Sequence, residues 1–374
     1  MSVLLVNMSI DQITGGGTAT RTLQIARSIQ NDFGIECIVL STDQGLEEKS
    51  LEQLKDIKTF LLPCLNDRFY IPYFSFQKLR DLIKKADIIH LMSHWTLINV
   101  IVYFFARKLN KPYTFCPAGA LNIYGRSSLL KKLYNHFIGK SIIKNASRCI
   151  AITLLEKKYF LEFGVKNNLI SVIPNGIDKN EFYPNLEASK NFKKKFGLQK
   201  VPFILFVGRL NQIKGPDLLL KAYIKLLHDF PKINMVFAGP DDGLGDQLGE
   251  EIKKKSIEQK VLLIGYIGEK DKVGAYTGAE FLVVPSRLEA MSIVALEAGA
   301  CGTPVLLTTE CGFDEVKEVG CKVVKPNVDD LYKGMHNMLS SSHKLNCIGS
   351  NFRNLILNHY SWKNTAEQYL RIFG

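Results

Sequence analysis

Short, largely apolar runs recur along this chain, each followed by a segment with apolar residues at helical spacing, and few folds tolerate that alternation. Residues 3–6, 37–40, 88–90, 113–115 and 149–152 read as strands buried on both faces, because their apolar character is close to continuous. Amphipathic segments at 18–31, 76–85, 97–109 and 127–145 read as the helices between them. The stretch Val172-Ile-Pro174-Asn-Gly176-Ile-Asp178 then breaks regular structure. A second series follows, with strands expected at 203–207, 234–237, 261–264, 281–284 and 305–307 and a short last one at 323–324. The pattern predicts an α/β chain of two doubly wound, Rossmann-like domains facing each other across a cleft, with ligands beyond the carboxyl ends of the strands. Tracts 185–200 and 241–246 read as exposed, mobile connections.

A chain of 374 residues is long enough for two cores of that kind. Its eight cysteines form no CxxC pair, and Cys37, Cys149 and Cys301 adjoin apolar runs, which favours buried free thiols in a reducing compartment over disulfides or zinc. The N-terminus enters a strand-like run without a basic leader, so no signal peptide is expected. The longest apolar stretch, 97–106, is too short to span a bilayer and reads as a buried helix. These features predict a cytoplasmic protein.

The net charge of +12 is unevenly spread. No acidic residue falls between Asp87 and Glu156, while nine Lys or Arg do. Within that interval Lys132, His136, Lys140, Lys144 and Arg148 recur every four residues, one stripe on a helix. Leu129, Leu130, Leu133, Tyr134, Phe137, Ile138, Ile142 and Ile143 supply its apolar side. A core helix with a solvated basic face is one reading; contact of the basic 126–148 segment with an anionic membrane surface is the other, favoured by the missing acid. Nucleic acid is not expected, because no groove-reading or aromatic-basic motif accompanies the charge.

Three motifs carry chemistry. Gly15-Gly16-Gly17-Thr18, between the first strand and first helix, allows close backbone approach to an anion, but the third glycine of a dinucleotide fingerprint is missing. Gly208-Arg209 and Lys214-Gly215-Pro216 hold two cations on one strand-to-helix loop, suited to a diphosphate. The stretch 281–299 reads as strand, Pro285-Ser286 turn and helix, with Glu289 before the helix and Glu297 within it. A phosphate seated at that helix start would have a carboxylate on either side for the hydroxyls of a ribose and of a sugar.

Together with Pro174-Asn-Gly-Ile-Asp178 and Gly302-Thr-Pro304-Val305, these motifs resemble the retaining glycosyltransferases of family 4, also called glycosyltransferase group 1, which have the GT-B fold. The resemblance implies an N-terminal acceptor domain (1–173), a C-terminal nucleotide-sugar domain (174–357) and a terminal helix (358–374) that crosses back to the first domain. It implies that Arg209 and Lys214 neutralise the leaving diphosphate, that Glu289 contacts the donor sugar and that Glu297 holds the ribose. Met291, Ser292 and Ile293 match the turn whose backbone N–H groups meet the donor, and Gly16 and Gly17 match the N-terminal glycine loop. Where many members carry a histidine, the nearest residue here is Ala118; His94 is a candidate for the acceptor side, and His90 reads as structural. The implied activity is metal-independent transfer of a sugar from a UDP- or GDP-sugar to a glycan acceptor; the basic patch in the acceptor domain adds the expectation that this acceptor is lipid-linked, in the biosynthesis of a surface polysaccharide such as lipopolysaccharide O-antigen, capsule or exopolysaccharide. No cofactor or metal is expected beyond the nucleotide-sugar co-substrate, and the expected place is peripheral on the inner face of the cell membrane. A GT-B-type nucleotide-sugar epimerase and, more distantly, a nicotinamide-dependent dehydrogenase remain alternatives.

Overall fold

The computed structural model describes residues 1–11, 14–52, 54–123 and 127–373, with the side chains at 49 and 50 outside that description. The chain forms two compact units, one of Met1–Gly176 with Trp362–Gly374 and one of Ile177–Ser361.

The first unit is built on a sheet of seven strands: β1 (Ser2–Ser9), β2 (Glu36–Thr42), β3 (Lys58–Leu62), β4 (Ile88–Met92), β5 (Tyr113–Cys116), β6 (Arg148–Ala151) and β7 (Ile170–Val172). Their spatial order is β3-β2-β1-β4-β5-β6-β7, and every pairing is parallel. The second unit has six parallel strands, β8 (Phe203–Val207), β9 (Asn234–Ala238), β10 (Val261–Gly265), β11 (Phe281–Val284), β12 (Val305–Thr308) and β13 (Lys322–Val324), in the order β10-β9-β8-β11-β12-β13. Strand order reverses between β1 and β4 in one sheet and between β8 and β11 in the other. At such a switch point the loops leaving two neighbouring strands diverge and open a crevice. The interior strands earn their places by continuous apolarity: all residues of β4, β5, β8, β9, β11 and β12 are buried.

Strands β3 and β7 escaped the sequence pattern because both lie at sheet edges and are only partly buried, so neither shows a continuous apolar run. The tract 185–200 is not a loose connection. Asn185 caps a helix at Leu186–Lys195 by accepting the Ala188 N–H, and Ser189 and Phe192 are buried. The helix lies so close to Glu269–Gly278 that a Cβ on Gly274 would stand 2.5 Å from the Ala188 carbonyl oxygen. Loop 241–246 is likewise tied down, because the Asp241 carboxylate accepts the N–H groups of Gly243, Leu244 and Gly245.

Segment 127–145 departs further from expectation. It is α-helical at Ser128–Tyr134, π-helical at Asn135–Gly139 and α-helical again at Lys140–Lys144. The wider π turn shifts the register, so the two α-helical pieces do not share one face. Ile142 and Ile143 are buried and Tyr134 and Ile138 pack on the core, whereas Leu129, Leu130, Leu133 and Phe137 are exposed. The five-residue basic stripe ends early: Arg148 opens β6 and donates to the Asn168 carbonyl. Arg126 lies outside the described residues. No helix among the described residues is long and apolar enough to cross a membrane.

The last helix, Trp362–Phe373, packs in the first unit against Gly16–Asn31. Arg21, fully buried, knots three segments together: it donates to Asn175 Oδ1 at 2.6 Å, to the Ile173 carbonyl at 2.8 Å and to the Tyr369 hydroxyl at 3.1 Å.

Candidate functional site

In the second unit the switch point brings two of the three sequence motifs together. The loop leaving β8 carries Arg209 and Lys214, and the loop leaving its neighbour β11 carries Glu289. Gly215 explains how they meet. It adopts φ +72°, and a Cβ there would stand 2.2 Å from the Pro285 carbonyl oxygen, so only glycine lets the first loop lie directly on the second. Pro216 then opens the helix Pro216–Leu226.

Lys214 Nζ donates to Glu289 Oε2 at 2.6 Å, and Ser286 Oγ donates to the same oxygen at 3.2 Å. The Lys214 backbone N–H is fixed by Asn211 Oδ1 at 2.9 Å, and Asn211 in turn donates to Asp242 Oδ2 at 2.7 Å. Arg209 is held loosely, 3.7 Å from the same Asp242 oxygen and half exposed. Motif reading missed the brace behind this pair. Arg287 binds Asp217 through two parallel bonds of 2.8 and 2.6 Å, donates to the Gln212 carbonyl at 2.6 Å, and takes its own backbone partner from Ile213 at 2.8 Å. Arg287 therefore rivets the two loops together; its place two residues before Glu289 was the only signal.

Glu297 lies inside the helix Ile293–Ala300 and is buried, as are Met291 and Ser292, while Ile293 is partly exposed. Ser292 caps that helix by accepting the Ala295 N–H. One Glu297 oxygen accepts the Tyr276 hydroxyl at 2.6 Å, and Lys272 Nζ stands 3.3 and 3.4 Å from the two oxygens. Burial pushes the Tyr276 hydroxyl well up, helped by the Glu297 charge. Burial works against the charge on Lys272, but the charge and hydrogen bond of Glu297, with Tyr266 and Glu269 adding to them, hold the ammonium above its ordinary value. Lys272 and Tyr276, four residues apart on one helix, had no motif to announce them. The arrangement fixes a carboxylate beside the helix start and leaves two cations on a loop.

In the first unit the corresponding ends of β1 and β4 carry the glycine loop and His94. The helix Gly16–Asn31 begins at Gly16 itself, and Gly17 lies in its first turn. Asp11 receives the Thr14 N–H at 2.7 Å, while Gln12 and Ile13 lie outside the described residues. His94 is buried and bonded to Asn135 Oδ1 at 2.7 Å, which also accepts the Trp95 indole N–H at 3.1 Å. Burial lowers the His94 pKa to about 4, so the ring is neutral at physiological pH. Ser93, Trp95 and Ala118, at the ends of β4 and β5, all adopt positive φ (70°, 52° and 52°). Three strained non-glycine residues around one histidine are the kind of outlier that clusters at working sites. Gly119 beside Ala118 donates its N–H to the buried Glu156 carboxylate at 2.5 Å. His90 is enclosed, paired with Thr114 at 2.8 Å and lowered to about 3 by burial. Among the described residues no group of three His, Cys, Asp or Glu side chains could hold a metal ion.

Comparison with known proteins places this geometry. Residues 15–181 match the family model described as Glycosyltransferase Family 4, and residues 188–355 match that described as Glycosyl transferases group 1. An uncharacterized glycosyltransferase of Methanocaldococcus jannaschii is 32% identical over 60% of this chain and 60% of its own length. Mannosylfructose-phosphate synthase of Agrobacterium fabrum is 28% identical over 62% of this chain and 53% of its own. These alignments thus span little more than half of either relative. The crystal structure of Anabaena HepE in complex with UDP-glucose superposes with a TM-score of 0.82 at 18% identity, covering 99% of this chain and 98% of that one. That likeness establishes the shared GT-B fold.

Proposed function

The chain belongs to the group 1, family 4 glycosyltransferases, and on that premise we propose that it transfers a sugar, with retention, from a nucleoside-diphosphate sugar to a glycan acceptor. The observation that carries the reading is the Lys214–Glu289 contact of 2.6 Å, a cation and a carboxylate brought together from two loops at a switch point. Lys214 and the loosely held Arg209 take the diphosphate, and their charge stabilises the phosphate oxygens as the glycosidic bond breaks. Glu289 is then released to the donor sugar's hydroxyls. Glu297, held by Tyr276 and Lys272, receives the ribose, and the backbone of Met291, Ser292 and Ile293 faces the donor at a helix start. The cations do the work that a divalent metal does elsewhere, so turnover needs no metal.

The second unit holds the donor, and the HepE complex supports UDP as the first nucleotide to try. The first unit takes the acceptor near His94, Gly16 and Gly17. Its uninterrupted positive charge from Asp87 to Glu156 supports a lipid-linked acceptor at an anionic membrane surface, as in surface-polysaccharide assembly.

The test is thermal denaturation with UDP, GDP, ADP and NAD in parallel, because a ligand that binds only the folded chain raises the midpoint. A rise with UDP or GDP is expected and selects the sugars to assay. A rise with NAD alone would overturn the reading in favour of a dehydrogenase. Donor sugar converted to its epimer without any acceptor would turn it toward an epimerase.

A further inference from the structure

The helical segment 128–144 leaves uncovered what an amphipathic helix normally buries. Leu129, Leu130, Leu133 and Phe137 are 69%, 55%, 43% and 74% exposed. At about 100° per residue the three leucines fall within about 100° of arc, and Phe137, in the π turn that follows, is exposed with them. The opposite side is already occupied by protein: Asn135, Gly139, Ile142 and Ile143 are buried, and Tyr134 and Ile138 pack on the core. Four large apolar side chains standing out from one helix mark an interaction surface rather than ordinary scatter.

Charge says what covers it. Lys132, His136, Lys140 and Lys144 are exposed along the same segment, and no carboxylate occurs between Asp87 and Glu156 to balance them. A second copy seated on this crest would set lysines against lysines. Lipid phosphates would meet the lysines while acyl chains receive the leucines and phenylalanine, a division of labour typical of helices lying in a membrane interface. We propose that this crest inserts into the interfacial layer of an anionic bilayer, anchoring the first unit by apolar contact as well as by charge. The proposal rests on the reading of the acceptor as lipid-linked and adds the device that brings the enzyme to it.

The experiment is flotation of the full chain with vesicles of phosphatidylcholine and phosphatidylglycerol, or of phosphatidylcholine alone, at low salt and at about 0.5 M salt, where charge is screened within a few ångströms. Wild type should float with the anionic vesicles and keep a bound fraction in high salt. The double variant Leu130→Ser/Phe137→Ser should bind at least about tenfold more weakly and lose the salt-resistant fraction. Lys132→Ala/Lys140→Ala should weaken binding mainly at low salt. Nucleotide-induced thermal stabilisation, measured on the same samples, should be equal in all of them; its absence in wild type would count against the donor reading and not against the crest. The proposal fails if wild type ignores anionic vesicles, if the serine variant floats like wild type, or if light scattering shows a dimer that Phe137→Ser dissolves.

Discussion

Lys214 is the residue on which the chemistry turns. Its ammonium already sits 2.6 Å from Glu289 with its backbone pinned by Asn211, so little reorganisation stands between the resting loop and a bound diphosphate. Lys214→Ala should leave the fold intact and lower kcat/KM by about two to three orders of magnitude, the usual cost of losing one preorganised charge on a leaving group. Wild-type turnover should be unchanged by EDTA; inhibition that added magnesium reverses would show that the two cations do not suffice. The histidines make a separate prediction. His90 and His94 are held neutral by burial, at about 3 and about 4 against an ordinary 6.5, so the unfolded chain binds protons that the folded one refuses. Their contribution is complete above pH 6.5 and is lost as pH falls, toward about 4 for His94 and about 3 for His90, by up to about 1.4 kcal/mol per pH unit for each ring. Urea denaturation between pH 4.5 and 7.5 should show that slope, and His94→Gln should remove about one proton's share. An unaltered slope would mean that His94 is already charged in the folded chain.

At the scale of elements, the site is two loops held in one geometry, and the Arg287–Asp217 bridge does the holding. Their bonds to each other and to the backbone at 212 and 213 join the loop before Lys214 to the loop before Glu289. Arg287→Ala would free the loop before Lys214 and leave the largely buried Asp217 without its fork. Loosening by an ångström is enough to cost about tenfold to a hundredfold in turnover. The exchange Arg287→Asp with Asp217→Arg should recover part of that loss, which a generally damaged fold would not do. Equal kcat/KM in wild type and Arg287→Ala would show that Gly215 packing alone sets the loop. This bridge also shows what motif reading can and cannot find. Arg209, Lys214, Glu289 and Glu297 stood out because their spacing matches a chemical need. Arg287, Asp217, Lys272 and Tyr276 did not, because an ion pair across 70 residues and a hydroxyl on another helix leave no local spacing to read. The π turn at Asn135–Gly139 was illegible for a related reason: four-residue spacing assumes a regular helix, and the turn that re-aims Asn135 toward His94 spoils that assumption.

At the scale of the molecule, alternating strands and helices were readable because parallel sheets demand continuous apolar runs, and the interior strands obey within one to three residues at each end. The return of a terminal helix to the first unit was an expectation that only the family resemblance supplied; what could not be read was the contact that ties it there. Trp362–Phe373 lies far in sequence from the sheet it supports, and the tie is Arg21, a charge without any exposed atom, whose partners Asn175, Ile173 and Tyr369 come from two distant segments. A buried guanidinium stripped of a partner is costly, about 3–5 kcal/mol where a buried charge loses its compensation. Deleting 362–374 removes the Tyr369 hydroxyl and uncovers the helix Gly16–Asn31, whose Ile25, Ala26 and Ile29 are now fully buried. Each unit has its own core, so the damage should be confined: calorimetry should show the first unit melting early or already unfolded, while a second transition survives and still rises with UDP or GDP. Tyr369→Phe should shift only the first transition, and by less. Loss of the nucleotide-responsive transition on deletion would mean that the second unit depends on the first for its fold, and that the switch-point site cannot be studied alone.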